Sequence, residues 1–107
     1  MLIKFYDNLT KVETDDRGEL LKHQLKIEQL FFNGSNNNDN DDIHDINFLT
    51  VVKNIRELAL YDTWVTQLSP VKYLNKLRTL CTSGTFFKSL LPLDKSKLRI
   101  LIINEHF

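Results

Sequence analysis

The side chains able to do chemistry are few and scattered. Three histidines, His23, His44 and His106, could serve as bases or ligands, and Cys81 is the lone thiol. None of the histidines stands at a motif spacing from a serine or cysteine, so no nucleophile–base pair can be assigned. Gly18, Gly34 and Gly84 are isolated, so no glycine-rich loop is present to cradle a phosphate. The run Ser35–Asp42 holds Asn37, Asp39, Asp41 and Asp42, oxygen donors of the kind calcium prefers. A calcium loop opening at Asn37 would need glycine at 42 and glutamate at 48, where Asp42 and Phe48 stand. No catalytic residue, metal site or cofactor is therefore expected. Asn8 and Asn33 lie in glycosylation-type triplets, but no basic segment followed by a long apolar core opens the sequence as a secretory signal would.

The elements that would have to position any site come from the apolar pattern. Of 107 residues, 42% are hydrophobic and 26% charged, with 14 basic against 14 acidic. That fits one ordered domain rather than a disordered chain. No apolar run approaches the roughly 18 residues of a membrane span. Lysine and arginine form no stripe interleaved with aromatics, which argues against nucleic acid as a partner. One cysteine excludes an internal disulfide and fits a reducing compartment, the cytoplasm first and the nucleus as the alternative.

Four segments repeat: Ile27–Phe32, Ile55–Leu60, Leu77–Thr82 and Leu98–Ile103. Their starts are 28, 22 and 21 residues apart. Each reads apolar-x-x-apolar-x-apolar, with Thr82 the exception. Between them, Ile43, Val65 and Phe87 keep the same interval, as do Ile46, Leu68 and Leu90, and Leu49, Val71 and Leu93. Phe48, Pro70 and Pro92 make a further row. A helix has no reason to keep such a beat, whereas stacked strand–turn–return units do.

The stretch Ile55–Lys76 resembles the 22-residue repeat of internalin-type leucine-rich repeat proteins. It is also similar to the phosphatase-regulatory subclass, and residues 63–70 and 83–85 are similar to repeats of trypanosome leucine-rich repeat proteins. The resemblance covers residues 27–107. Thr63, Thr85 and His106 stand where that family usually has asparagine. The resemblance implies an α/β-type solenoid: a short leucine-rich repeat array with a parallel concave sheet and an irregular or short-helical convex side. Units would start at 27, 55, 77 and 98, with a polar insertion at 35–42. Residues 1–26 would be an N-terminal cap or a degenerate repeat. Within them, residues 2–6 read as a strand, and Asp16 with Glu19 reads as a capping box opening a short helix through Leu21 and Leu25.

Strand alternation then sends Leu30, Leu58, Leu80 and Leu101 inward. The intervening residues form an outward face of Gln29, Phe31, Asn33, Glu57, Ala59, Tyr61, Thr79, Cys81, Ile100 and Ile102. Low charge and aromatic content make this face a candidate surface for another protein. Sideways packing of Phe31 and Ile102 on Ala59 and Cys81 is the plainer alternative. Trp64 is read as turn filler or as a contact residue. The leading expectation is a non-catalytic protein–protein interaction module using the concave sheet. The alternative is a structural subunit or homo-oligomer docking through an apolar edge strand at 98–103.

Overall fold

A computed structural model describes residues 2–7, 9–34, 46–63, 65, 67–84 and 98–102. The polar insertion at 35–42, His44, Trp64, Thr85 and His106 lie outside the described residues. Among these residues six strands form one sheet: β1 (Leu2–Asp7), β2 (Thr10–Thr14), β3 (Gln29–Asn33), β4 (Glu57–Tyr61), β5 (Thr79–Cys81) and β6 (Ile100–Ile102). Their order across the sheet is β2-β1-β3-β4-β5-β6.

The sheet is mixed. β1 runs antiparallel to both β2 and β3, while β3, β4, β5 and β6 pair in parallel. The parallel half is aligned on the apolar pattern, with Leu30 opposite Leu58, Leu58 opposite Leu80 and Leu80 opposite Leu101. One acceptor per unit pins that alignment. The Glu28 carbonyl accepts from the Arg56 and Glu57 amides, at 2.7 and 3.0 Å. The Arg56 carbonyl accepts from Arg78 and Thr79, and the Arg78 carbonyl from Arg99 and Ile100. At the same end of the strands Asn54 ties successive units together. Its Nδ2 donates to the Leu25 carbonyl at 2.7 Å, and its Oδ1 accepts from Lys76 Nζ at 2.8 Å.

Two 3-10 helices, Asn47–Val51 and Ser69–Tyr73, follow at the same interval and return the chain toward the next strand. They bury Leu49 and Val71. The one α-helix among the described residues, α1 (Arg17–Lys22), opens on Asp16, whose Oδ1 accepts from the Gly18 amide at 2.8 Å. The expected capping box does not close. Glu19 turns instead to Lys22, at 3.3 Å, and the Asp16 amide donates to Thr14 Oγ1 at 3.0 Å. The helix ends before Leu25, which is left exposed.

The expected solenoid with an all-parallel sheet is corrected by this topology. The chain is a small globule around one centre, with extents of 32 × 31 × 20 Å and a radius of gyration of 12.9 Å. A compact domain of this length is expected near 13 Å. Ile3 and Phe5 of β1 and Leu20 of α1 share one continuous core with Leu30, Phe32, Leu58, Leu60 and Leu80. The physical reason lies in the N-terminal segment. It does not stack as another coil but adds an antiparallel hairpin to the β3 edge and lays α1 under it. Six strands at about 4.8 Å spacing are only about as wide as the coils are long, so nothing elongates.

Thr82, the odd residue in an apolar column, is fully buried yet satisfied. Its amide donates to the Ile102 carbonyl at 2.9 Å, and Oγ1 donates to the same oxygen at 3.4 Å. A hydroxyl at that position ties β6 to its neighbour where leucine could not.

Candidate functional site

Every residue of the expected outward face lies on the solvent side of this single sheet, because the residues that alternate with them (Leu30, Phe32, Leu58, Leu60, Leu80) fill the core. One row crosses the sheet as Glu13, Lys4, Phe31, Ala59, Cys81 and Ile102. A second runs Gln29, Glu57, Thr79, Ile100, and a third sets Leu2 and Asn33 beside Tyr61. Lys4 and the paired Lys11 and Glu13, 3.1 Å apart, make the β1–β2 end charged. The β5–β6 end carries no charge on this face.

The ten residues differ in what they can touch. Ile100 and Ile102 are 50% and 46% exposed, and Gln29 is exposed. Phe31, Asn33, Glu57, Tyr61 and Thr79 are half-buried. Ala59 and Cys81 are buried at 3% and 8% exposure, so they form a floor beneath larger neighbours. Lys4 holds its ammonium 4.8 Å from the centre of the Phe31 ring, a cation–π contact on the outer face.

Tyr61 and Cys81 form the polar centre of the face. Their mutual hydrogen bond raises the Tyr61 hydroxyl above its ordinary value, and burial and the electrostatic effect of Cys81 act in the same direction. Cys81 Sγ also lies 3.6 Å from Ser83 Oγ. The sign of the consequence is definite. A phenol whose folded pKa lies above its unfolded one contributes stability that is fully present below about pH 10 and is lost as pH rises through the folded value. Denaturant midpoints taken from pH 8 to 12 should fall more steeply for the native chain than for Tyr61→Phe. Parallel curves would mean that the hydroxyl makes no such contribution.

The face opens at one end into a cleft of about 370 Å³ lined by Tyr6, Leu9, Lys26, Glu28 and Gln29. Leu9, at the tip of the β1–β2 hairpin, is 98% exposed. Beside this cleft is a cluster with no signature in the sequence. His23 Nδ1 stands 3.1 Å from Asp7 Oδ2, and Nε2 stands 3.6 Å from Glu19 Oε1. The His23 ring also packs on Phe5, with centroids 5.3 Å apart. Asp7 Oδ1 is buried with no hydrogen-bond partner, 3.9 Å from Lys26 Nζ. The arrangement ties α1 to the end of β1. Its members are 7, 19, 23 and 26, a spacing set by the hairpin and helix packing, so only knowing that contact could have found it. Among the described residues, no three His, Cys, Asp or Glu side chains converge where a metal ion could be held. Nor is any helix among them long and apolar enough to cross a membrane.

Comparison with protein-family models finds no match, and comparisons with curated proteins and with solved structures likewise find none.

Proposed function

We propose that the chain is a non-catalytic protein-binding module whose contact surface is the outer face of the sheet. The observation that supports this reading is the gradation across that face. Phe31, Tyr61, Ile100 and Ile102 are accessible around a sealed floor of Ala59 and Cys81. Aromatic and aliphatic anchors over a well-packed base, with few charges among them, are what protein interfaces use at their centres. The rigidity comes from below, since each outward residue alternates with a core residue on the same strand. A free thiol at Cys81 suits a reducing, cytoplasmic setting.

A test begins with ligands selected from a displayed protein library against the immobilised full chain. Phe31→Ala and Tyr61→Ala should each weaken their binding by about tenfold or more, the level of a hot spot. Circular dichroism should stay unchanged. Ligands that bind both variants at native affinity, with NMR shift changes away from β3 and β4, would remove the proposal.

A further inference from the structure

The two edges of the sheet differ in chemistry. β2 is guarded: Lys11 and Glu13 are exposed and paired on it, and charged side chains blunt an edge against strand addition. β6 itself carries no charged residue. It reads Ile100, Leu101, Ile102, and β5 is its one neighbour among the described residues. Both isoleucines are about half exposed, while Leu101 packs against the core.

The backbone of β6 is also directional. The Ile100 amide donates to the Arg78 carbonyl, and the Ile102 carbonyl accepts from the Thr82 amide. Residues 100 and 102 therefore turn their backbone groups toward β5. Leu101, between them, turns its N–H and C=O away from the sheet.

We propose that this edge pairs with the same edge of a second copy, antiparallel, about a two-fold axis through Leu101. In that register Leu101 exchanges both of its outward hydrogen bonds with the partner copy's Leu101, the one described residue of β6 whose backbone groups turn away from β5. Ile100 then lies opposite the partner copy's Ile102, and Ile102 opposite the partner copy's Ile100, at the close spacing of non-hydrogen-bonded pairs. The contact is self-complementary, as a two-fold interface must be.

The antiparallel direction, which makes the contact self-complementary, also spares it a further like-charge neighbour. Within the chain, Arg56, Arg78 and Arg99 precede successive strands at matching positions. A parallel second copy would set another Arg99 beside Arg99. The antiparallel arrangement moves the two Arg99 residues to opposite ends, about four residues or roughly 13 Å apart, beyond a Debye length at physiological salt. A β6–β2 chain of copies is disfavoured by the guard on β2, so the assembly closes at two. Ile100 and Ile102 also belong to the face proposed above, but the mass of the native chain without any ligand tests this contact separately from that function.

Sedimentation velocity of the full chain over a wide concentration range tests it. The native chain should move from the 12.6 kDa monomer to twice that mass. Ile100→Lys with Ile102→Lys sets lysine against lysine across the axis and should stay monomeric. Ile100→Lys with Ile102→Glu sets lysine against glutamate in the antiparallel register and should recover the dimer. In a parallel register it would set like against like. Both variants change half-exposed positions, and circular dichroism checks that each is folded. A native chain that remains monomeric at millimolar concentration, or a Lys/Lys variant that dimerises as well as the native chain, overturns the proposal. So does a Lys/Glu variant no more associated than Lys/Lys.

Discussion

Replacing Phe32 by alanine is expected to cost about 3–5 kcal/mol, the usual range for a fully buried phenylalanine. The residue sits mid-sheet on β3, with Ile3 opposite on one side and Leu60 on the other. No part of it reaches solvent. Its ring meets Phe48 edge-on, with centroids 5.9 Å apart and planes at 78°, so truncation also removes an aromatic pair. It joins the antiparallel half of the sheet to the parallel half, and neither half can collapse into the void without moving the other. A domain of this size has only about 5–15 kcal/mol to lose. Each kcal/mol shifts the midpoint by about 4–8 °C. Thermal and urea unfolding should therefore show a large loss, or no cooperative transition at all. Phe31→Ala, one residue away on the outer face, should cost clearly less. Equal losses at 31 and 32 would mean that the two faces are not distinguished as described.

Gly34→Ala should be the second severe substitution, for a backbone reason. Gly34 follows β3 and is buried, with its amide donating to the Tyr61 carbonyl at 2.8 Å. A methyl group there would collide with the carbonyl oxygen of Asp62 and stand 3.1 Å from its carbonyl carbon. Asp62 is itself in the left-handed region, at φ 53°, and its amide donates to the Ser83 carbonyl at 2.9 Å. It cannot move aside without loosening β4 from β5. Overpacking costs about 1–3 kcal/mol, and a strained or lost hydrogen bond adds about 1 kcal/mol. Gly84 meets the other side of Asp62, at φ 72°, where a Cβ would strike the aspartate side chain. The two glycines can be told apart by a double-mutant cycle. Asp62→Gly should not rescue Gly34→Ala, because the collision is with backbone. Rescue by more than about 1 kcal/mol would show that the contact is with the side chain instead.

These two positions illustrate what can be read in advance. Phe32 belongs to an apolar column that recurs at Leu60, so its burial follows from the pattern. Gly34 does not. As an isolated glycine it has no visible partner, and its importance comes from Asp62, which is brought beside it by strand pairing. The candidate face divides in the same way. Alternation alone separated Phe31 and Tyr61 from their core neighbours, since the side a residue faces is a local property of a strand. It could not show that Ala59 and Cys81 are covered while Ile100 and Ile102 are open, because cover depends on side chains from adjacent strands. The His23–Asp7–Glu19 cluster was illegible for the same reason, its members being joined only where α1 packs on β1.

The order of apolar residues thus determined by itself which positions of the repeats turn inward, where the four parallel strands fall and how they register, but gave no sign of the strand at Thr10–Thr14. The tertiary structure decided the architecture. Alternation encodes a face but neither a neighbour nor a direction, and the unpaired edge of β3 could have met another parallel coil or an antiparallel hairpin. The first would have extended an array. The second, chosen because β1 and α1 offer Ile3, Phe5 and Leu20 to the same core, closes the chain into a globule around one centre.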